Sequence, residues 1–340
     1  MLRLSIVIPV PENGIQQLEE TLLSVLENRP ESCEVIVVHS GCYHDPYALG
    51  DEVRFVESAG KATFVQLADL GIGAAQSDIV HLLSSGVLVE EGWVEPVLAH
   101  FDDPAVSCVA PVVFSGPDKG RIAAAGVAYG VGGRRVVLGH GRRFRLGYQP
   151  PRQMIGPTLA AAFYRTSALA AAGGLSEVVG SQFADLDMAL TLHLMGYQAA
   201  FEPACHVQAA TTLITPEVGA LAGGWGAERC FWRHATVQSW LQILVAHPLW
   251  MIAEGLADLV RLRMPRAVGR LAALCCAVRD LRHLDAVMRS NQDRRRQAAH
   301  SPGNLDTPPH DPICSEQVTF PGQDDPPEES TRRHGLKRAG

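Results

Sequence analysis

The chain opens on a β-α-β pattern, and no other stretch limits its fold as strongly. Leu4 to Val10 is a continuous apolar, β-branched run stopped by Pro9 and Pro11, the pattern of a strand buried on both faces. Gln16 to Glu27 carries Leu18, Leu22, Val25 and Leu26 on one helical face. Glu34 to Val38 is a second buried strand. Two such strands joined by a helix pair in parallel through a right-handed crossover. The alternation continues with a strand at Val53 to Glu57, a helix at Phe64 to Ala75 and a strand at Ile79 to Leu83. A helix at Glu91 to Phe101, with Pro96 in its early part, and a strand at Val106 to Val113 complete it. This order specifies a doubly wound α/β sheet with helices on both faces. Ligands of such sheets bind beyond the carboxyl ends of the strands, which places His39 to Asp45 and Ser84 to Gly86 at the cleft.

The second half changes character. Gly126 to Gln153 is rich in Gly and Arg (Arg134, Arg135, Arg142, Arg143, Arg145, Arg152) and reads as a hairpin or long mobile loop over the cleft. Gly156 to Tyr164 is strand-like, and Ser167 to Ala172 is a short helix ended by Gly173-Gly174. A strand at Gln198 to Glu202 is closed by Pro203. Glu217 to about Arg289 reads as helical, with Arg261, Arg263, Arg266, Arg270, Arg279 and Arg282 among Leu and Val. Those arginines form either a solvated face or a basic surface that rests on anionic lipid. From Asn291 the chain is poor in large apolar residues and is expected to be disordered. The expected division is a domain at 1–210, a helical region at 211–290 and a tail at 291–340.

Between the short helix and the strand at Gln198 lies Phe183-Ala184-Asp185-Leu186-Asp187-Met188, two carboxylates inside an apolar segment where loop becomes helix. Acidic groups there gain from free backbone N–H groups and the positive end of the helix dipole. They also suit a general base, which must be held on a rigid element beside a cleft. Both readings stand on these residues alone.

Composition removes several classes. A net charge of -7 argues against a nucleic-acid protein. Eight cysteines without a C-x-x-C spacing argue against structural zinc and fit a reducing cytoplasm. The N-terminus enters a strand directly, so no signal peptide is expected. Trp240 to Ala253 is interrupted by His247 and Pro248 and falls short of the roughly 20 apolar residues of a membrane span. His39, Cys42, His44 and Asp45 have no regular ligand spacing and read as loop polarity before metal ligands. Trp225, Trp232 and Trp240 read as core before a sugar platform; Glu228, Arg229 and Arg233 are either acceptor contacts or a solvated helix face.

Five stretches in order carry a resemblance. These are Ser5-Ile6-Val7-Ile8-Pro9-Val10; Leu18 to Leu26; Leu82-Leu83-Ser84-Ser85-Gly86 with Glu91-Gly92-Trp93; Ala172-Gly173-Gly174-Leu175 with the acidic pair; and Gly196-Tyr197 to Pro203. Together they resemble the family 2 glycosyltransferases of the GT-A fold, over roughly Leu4 to Gln208 and more loosely to about Arg289. The resemblance implies a GT-A-like doubly wound mixed sheet with a C-terminal helical appendage. It implies sugar transfer from a nucleotide-sugar donor to an acceptor hydroxyl, inverting, in surface polysaccharide or glycoconjugate synthesis at the inner membrane face. The acceptor would be a glycan or lipid-linked molecule, and the contact with the membrane peripheral. Asp185 falls on the base and Asp187 on its orienting neighbour. Donor contacts fall on Pro9, Glu12, His39, Asp45, Asp69, Ser84 and Gly86.

The departures sit at the chemistry. The metal-binding Asp-x-Asp falls on Ser84-Ser85-Gly86, which has no carboxylate, so Mg or Mn is implied without its usual ligands and no cofactor is predicted. The nucleobase-side acidic cluster falls on His39-Ser40-Gly41-Cys42, and the Glu before the base falls on Ala184. Arg142 and Arg143 are candidates to neutralise the diphosphate instead, against an ordinary solvated loop. The alternative is a catalytically degenerate member that binds a glycan, lipid or protein. A nucleotidyltransferase or nicotinamide dehydrogenase is disfavoured, since no basic or G-x-G-x-x-G loop follows the first strand.

Overall fold

The computed structural model describes residues 4–41, 43–116, 120–130, 134–150, 154–214, 220–235, 245–260, 264–276 and 282. Cys42, Arg152, Trp240, Arg261, Arg263, Arg279 and the tail 291–340 lie outside the described residues.

The expected β-α-β start is present as β1 (Leu4–Val10), α1 (Ile15–Asn28) and β2 (Cys33–His39), with the two strands parallel and in register from Leu4↔Cys33 to Val10↔His39. Then come β3 (Val53–Glu57), α2 (Phe64–Ala74), β4 (Ile79–Leu83) and β5 (Val87–Val89). Thr63 starts α2 through a capping box with Gln66, which satisfies two backbone N–H groups at once. Next are α3 (Glu95–Leu98), β6 (Val106–Ser115), β7 (Ile122–Ala124), β8 (Val127–Gly130) and β9 (Arg134–Val137). They are followed by β10 (Met154–Gly156), β11 (Ala161–Arg165), α4 (Thr166–Ala172), α5 (Ala184–Leu194) and β12 (Gln198–Ala209). The C-terminal helices are α6 (Thr211–Ile214), α7 (Ala220–Arg233), α8 (His247–Val260) and α9 (Met264–Leu274).

The main sheet has the order β3-β2-β1-β4-β11-β6-β12-β5, with β7 added on β6. The pairs among β1 to β4 and between β6 and β12 are parallel, while β11 runs antiparallel to β4 and β6. This is a mixed sheet, as the resemblance implied. Because β1 is covered on both sides, its alternate residues feed two cores. Leu4, Ile6, Ile8 and Val10 pack with Leu18, Leu22 and Val25 of α1, and Val7 packs with Leu67, Ala68 and Ile72 of α2. A second sheet, β10-β8-β9, stands apart and lies against α5 through β8 and β10. The Gly- and Arg-rich stretch is therefore a hairpin with a third strand.

Three boundaries differ from the expectation. The helix expected from Glu91 starts only at Glu95, because Gly92 turns the chain at φ 75°. Gly156 to Tyr164 is two strands, and Gly156 is pressed against Ala189 of α5, where a Cβ would sit 2.6 Å from the Ala189 methyl. β12 does not end at Pro203: its register with β6 shifts between Glu202 and His206 and the strand runs on to Ala209. A proline fits such an irregularity, where no ladder N–H is required.

The chain turns into α5 through two glycines. Gly173 takes φ 85°, and the N–H groups of Gly173 and Gly174 bond back to the carbonyls of Ala170 and Leu169, a Schellman end for α4. α7 and α9 cross at two more. A Cβ on Gly224 would strike the backbone of Arg266, and one on Gly269 would strike the backbone of Leu221. Among the described residues, no helix is long and apolar enough to cross a membrane.

Candidate active site

Asp185 and Asp187 occupy the first turn of α5, and each is only 3% exposed. Two buried carboxylates this close repel unless each has its own cation. The structure supplies one set from each side.

Asp185 faces β9. Arg135 Nε donates to both carboxylate oxygens, at 2.8 and 2.9 Å, and Arg135 Nη2 donates to Oδ2 at 2.5 Å. The Leu186 N–H donates to Oδ1 at 2.8 Å. Arg135 Nη1 reaches the Ile214 carbonyl at 3.1 Å, so one guanidinium ties the hairpin, α5 and the end of α6 together. Along β9, Arg134 and Val136 are exposed while Arg135 and Val137 turn inward, the period of a strand.

Asp187 faces α7. Arg233 Nε donates to its Oδ1 at 2.9 Å, and His234 Nε2 lies 2.8 Å from the same oxygen. Burial works to raise the Asp187 pKa, but the hydrogen bond and charge of His234 and then Arg233 overcome it and hold the carboxyl well below the usual carboxylate range. One turn earlier on α7, Glu228 accepts from Trp232 Nε1 at 2.8 Å and from Arg270 Nη1 at 3.2 Å. His247 Nε2 lies 3.0 Å from it, with its ring stacked on Phe231 at 3.5 Å. Burial pushes the Glu228 pKa up, and His247, Trp232 and Arg270 bring it net below its ordinary value. Glu228, Arg229 and Arg233 are thus buried, not a solvated face, and Arg270 points inward, not to a basic surface. Arg282 is exposed.

The turn assigned to a metal by resemblance is spent on packing. Ser84 Oγ donates to the Leu159 carbonyl at 3.3 Å and Ser85 Oγ donates to the Gly14 carbonyl. Gly86, at φ 94°, donates its N–H to Thr21 Oγ1 at 2.8 Å. Hydroxyls used as donors to carbonyls and a glycine do not make an oxygen cage for a hard divalent cation. Among the described residues no three His, Cys, Asp or Glu side chains are grouped to hold a metal. The residues of this turn do not fit Mg or Mn.

The other candidates sit as follows. Pro9 is buried near the carboxyl end of β1, and Glu12 is exposed beside Lys61 at 3.1 Å. His39 ends β2 between Tyr43 and Phe55; burial pushes its pKa down, against the charge of Glu57. Asp45 is half-buried and accepts from the Tyr47 N–H at 3.2 Å. Asp69 accepts from the Leu175 N–H at 2.9 Å, which ties α2 to the turn before α5. Arg142 and Arg143 are exposed, and Arg143 forms a bridge with Arg121 beside β7. Trp225 is half-buried under the Arg229 guanidinium, 5.6 Å from the ring centre. Of the described arginines in the Gly- and Arg-rich stretch, the one that reaches the acidic pair is Arg135, and Arg233 of α7 reaches it from the other side. A period-2 reading of the hairpin was the signal for Arg135. His234 and His247 carried no such signal.

Residues 5–171 match the model of glycosyl transferase family 2. The match stops short of Asp185. The chain is 26% identical over 297 residues to the pre-mycofactocin glycosyltransferase of Mycobacterium tuberculosis, covering 84% of this chain and 58% of that protein. It therefore spans little more than half the length of that relative. Among solved structures it resembles S. aureus TarS 1–349 in complex with UDP-GlcNAc, with a TM-score of 0.55, 13% identity and coverage of 87% of this chain and 92% of that one. It also resembles GalNAc-T7 with UDP, GalNAc and Mn2+, with a TM-score of 0.53, 13% identity and coverage of 68% and 48%. The matched span contains the β-α-β start, the mixed sheet is similar to that of these glycosyltransferase structures, and residues 5–171 are the part of this chain that belongs to glycosyl transferase family 2.

Proposed function

We propose that the chain transfers a hexosyl group from a nucleotide-sugar donor to an acceptor hydroxyl, with inversion and with Asp185 as the general base. The Asp185 carboxylate takes the hydroxyl proton as the oxygen attacks the anomeric carbon. The bond from that carbon to the phosphate oxygen breaks, and its electron pair leaves with the nucleoside diphosphate. The observation that carries this reading is the placing of the two carboxylates. Asp187 is locked behind α7 by Arg233 and His234, whereas Asp185 stands toward β9 on a rigid first turn, as a positioned base requires. Asp187 then sets the orientation of α5. Donor contacts belong to the strand ends at Pro9, Glu12, His39, Asp45, Ser84 and Gly86, with Asp69 acting through the turn it ties down. Arg142 and Arg143 are exposed and able to approach the diphosphate.

The acceptor side of the proposal is a glycan or lipid-linked molecule of surface polysaccharide or glycoconjugate synthesis, used at the cytoplasmic face of the inner membrane. An aliphatic row supports a peripheral lipid contact: Leu249, Ile252, Leu256 and Val260 on α8 and Val268 and Leu271 on α9 are each half or more exposed.

Calorimetric titration with UDP, GDP and dTDP, with and without manganese, tests the donor site. Binding of one nucleotide is expected; the two solved neighbours hold UDP or UDP-GlcNAc, which makes UDP the first to try. No binding of any of the three would favour a second reading, a degenerate module that binds a glycan, lipid or protein. The engaged oxygens of Asp185 and the missing metal ligands are the observations on that side.

A further inference from the structure

Both oxygens of Asp185 are engaged. A carboxylate offers about four lone-pair sites. Here Oδ1 takes the Leu186 N–H, Oδ2 takes Arg135 Nη2, and the single Arg135 Nε–H is shared between the two oxygens. In this state three N–H donors already compete with the proton of an acceptor hydroxyl for both oxygens. A second observation concerns the other half of the reaction. A departing diphosphate needs positive charge, and the turn Ser84-Ser85-Gly86 offers no carboxylate for a metal. The two observations meet at one residue. Gly86 lies so close to Leu213 that a Cβ would be 3.1 Å from Leu213 Cδ1. The next carbonyl, of Ile214, receives Arg135 Nη1. Arg135 therefore bonds both the base and the backbone next to the residue that packs on the metal-less turn.

We propose that Arg135 is the cation for the donor diphosphate, and that it reaches the diphosphate by leaving Asp185. This rests on the reading of Asp185 as base. The guanidinium has five N–H donors in a planar fork that fits phosphate oxygens in pairs. A diphosphate carries more negative charge than one carboxylate, so it draws the fork away. Its departure empties the lone pairs of Asp185 when the donor is in place. Donor binding thus arms the base, and the acceptor follows the donor. The transfer itself is balanced without a metal. The acceptor oxygen bonds to the anomeric carbon, its proton goes to Asp185, and the diphosphate leaves with the electron pair of the broken bond, paired to Arg135. The position of Arg135 suits the exchange. Among the described residues β9 pairs only with β8, so it is an edge strand of the small sheet and can shift without breaking the main one.

The test is calorimetric titration in EDTA of wild type, Arg135→Gln, Arg135→Lys and Asp185→Asn with UDP, GDP, dTDP and the three monophosphates. Thermal melts of each variant accompany it. One diphosphate should bind wild type without metal and more tightly than its monophosphate. Arg135→Gln should lose roughly tenfold or more in diphosphate affinity and little in monophosphate affinity, with Arg135→Lys between. Asp185→Asn should bind the diphosphate more tightly than wild type, because the fork is no longer held. A purely structural ion pair would not tighten binding in this way. Unchanged diphosphate affinity in Arg135→Gln, weaker binding in Asp185→Asn, binding only after manganese is added, or no binding of any nucleotide would each overturn the proposal. A transfer assay separates it from the reading it rests on. Asp185→Asn that still transfers sugar removes the base, whatever Arg135 does. Asp185→Asn that is inactive beside an Arg135→Gln with wild-type diphosphate affinity keeps the base and removes the exchange.

Discussion

Asp187 and His81 show at single residues how burial is made tolerable. The Asp187 carboxylate is paired with Arg233 and bonded to His234 at the end of α7, and removing one side of such a pair strands the other in the interior. Asp187→Asn is expected to cost about 3–5 kcal/mol in urea unfolding, and Asp187→Ala no less. A loss under about 1 kcal/mol would mean that the pair is solvated and does not hold α5. His81 is the opposite case. It lies in the middle of β4, stacked on Phe163 at 3.7 Å, and burial pushes its pKa down to about 3 despite a hydrogen bond to the Ala162 carbonyl. The unfolded chain binds this proton near pH 6.5, while the folded chain does not until about pH 3. Stability therefore falls as pH drops through that window, by about 1.4 kcal/mol per unit from this one group. The depressed pKa values of Asp187 and Glu228 add to the loss only once the ordinary carboxylate range is reached. His81→Phe should shrink the stability difference between about pH 7 and about pH 5, measured by urea midpoints. An unchanged difference would place the acid sensitivity elsewhere.

At the scale of elements, α2 offers a paired test of how the helix layer meets the sheet. A methyl group on Gly71 would drive into Val7 and sit 2.8 Å from Val38 Cγ2, whereas one on Gly73 meets nothing within 4 Å. Gly71→Ala should therefore cost about 1–3 kcal/mol through overpacking. Gly73→Ala should be neutral or gain about 0.5–1 kcal/mol, because alanine is the better helix residue. Equal effects at both positions in thermal or urea melts would contradict the packing of α2 on β1 and β2. The same layer explains what could be read from the sequence. β1, β2 and β4 were legible because both their faces are buried and their runs are unbroken. The course of β12 past Pro203 was not, because a proline is tolerated at an irregularity that only the partner strand reveals. In the site, the acidic pair was legible because carboxylates are conspicuous in an apolar segment. Their partners were not: Arg135 is 50 residues from Asp185 in the chain and Arg233 is 46 from Asp187, so only the assembled fold brings them together. The exposed Arg142 and Arg143 stood out as neatly in the sequence as the inward-facing, half-buried Arg135, and only the alternation of β9 marks Arg135 out.

Among the described residues, the sheet region that carries the family 2 match over residues 5–171 holds a helical layer to itself by buried charge. Arg233 and His234 at the end of α7 hold α5, and Glu228 on α7 holds His247 of α8 and Arg270 of α9. The face that α8 and α9 leave outward is aliphatic, with Ile252 and Leu256 each 60% exposed. In the proposed setting this face meets lipid, so Ile252→Asp with Leu256→Asp should weaken co-sedimentation with vesicles and leave the melting temperature nearly unchanged. Undiminished sedimentation would remove the lipid contact from the account. Sugar transfer itself is tested most directly by comparing Asp185→Asn with wild type for release of nucleoside diphosphate from a panel of nucleotide sugars in the presence of acceptor. A fall of roughly 10²–10⁴-fold with nucleotide binding retained is the expected result for a lost general base. Transfer at the wild-type rate by Asp185→Asn would contradict it.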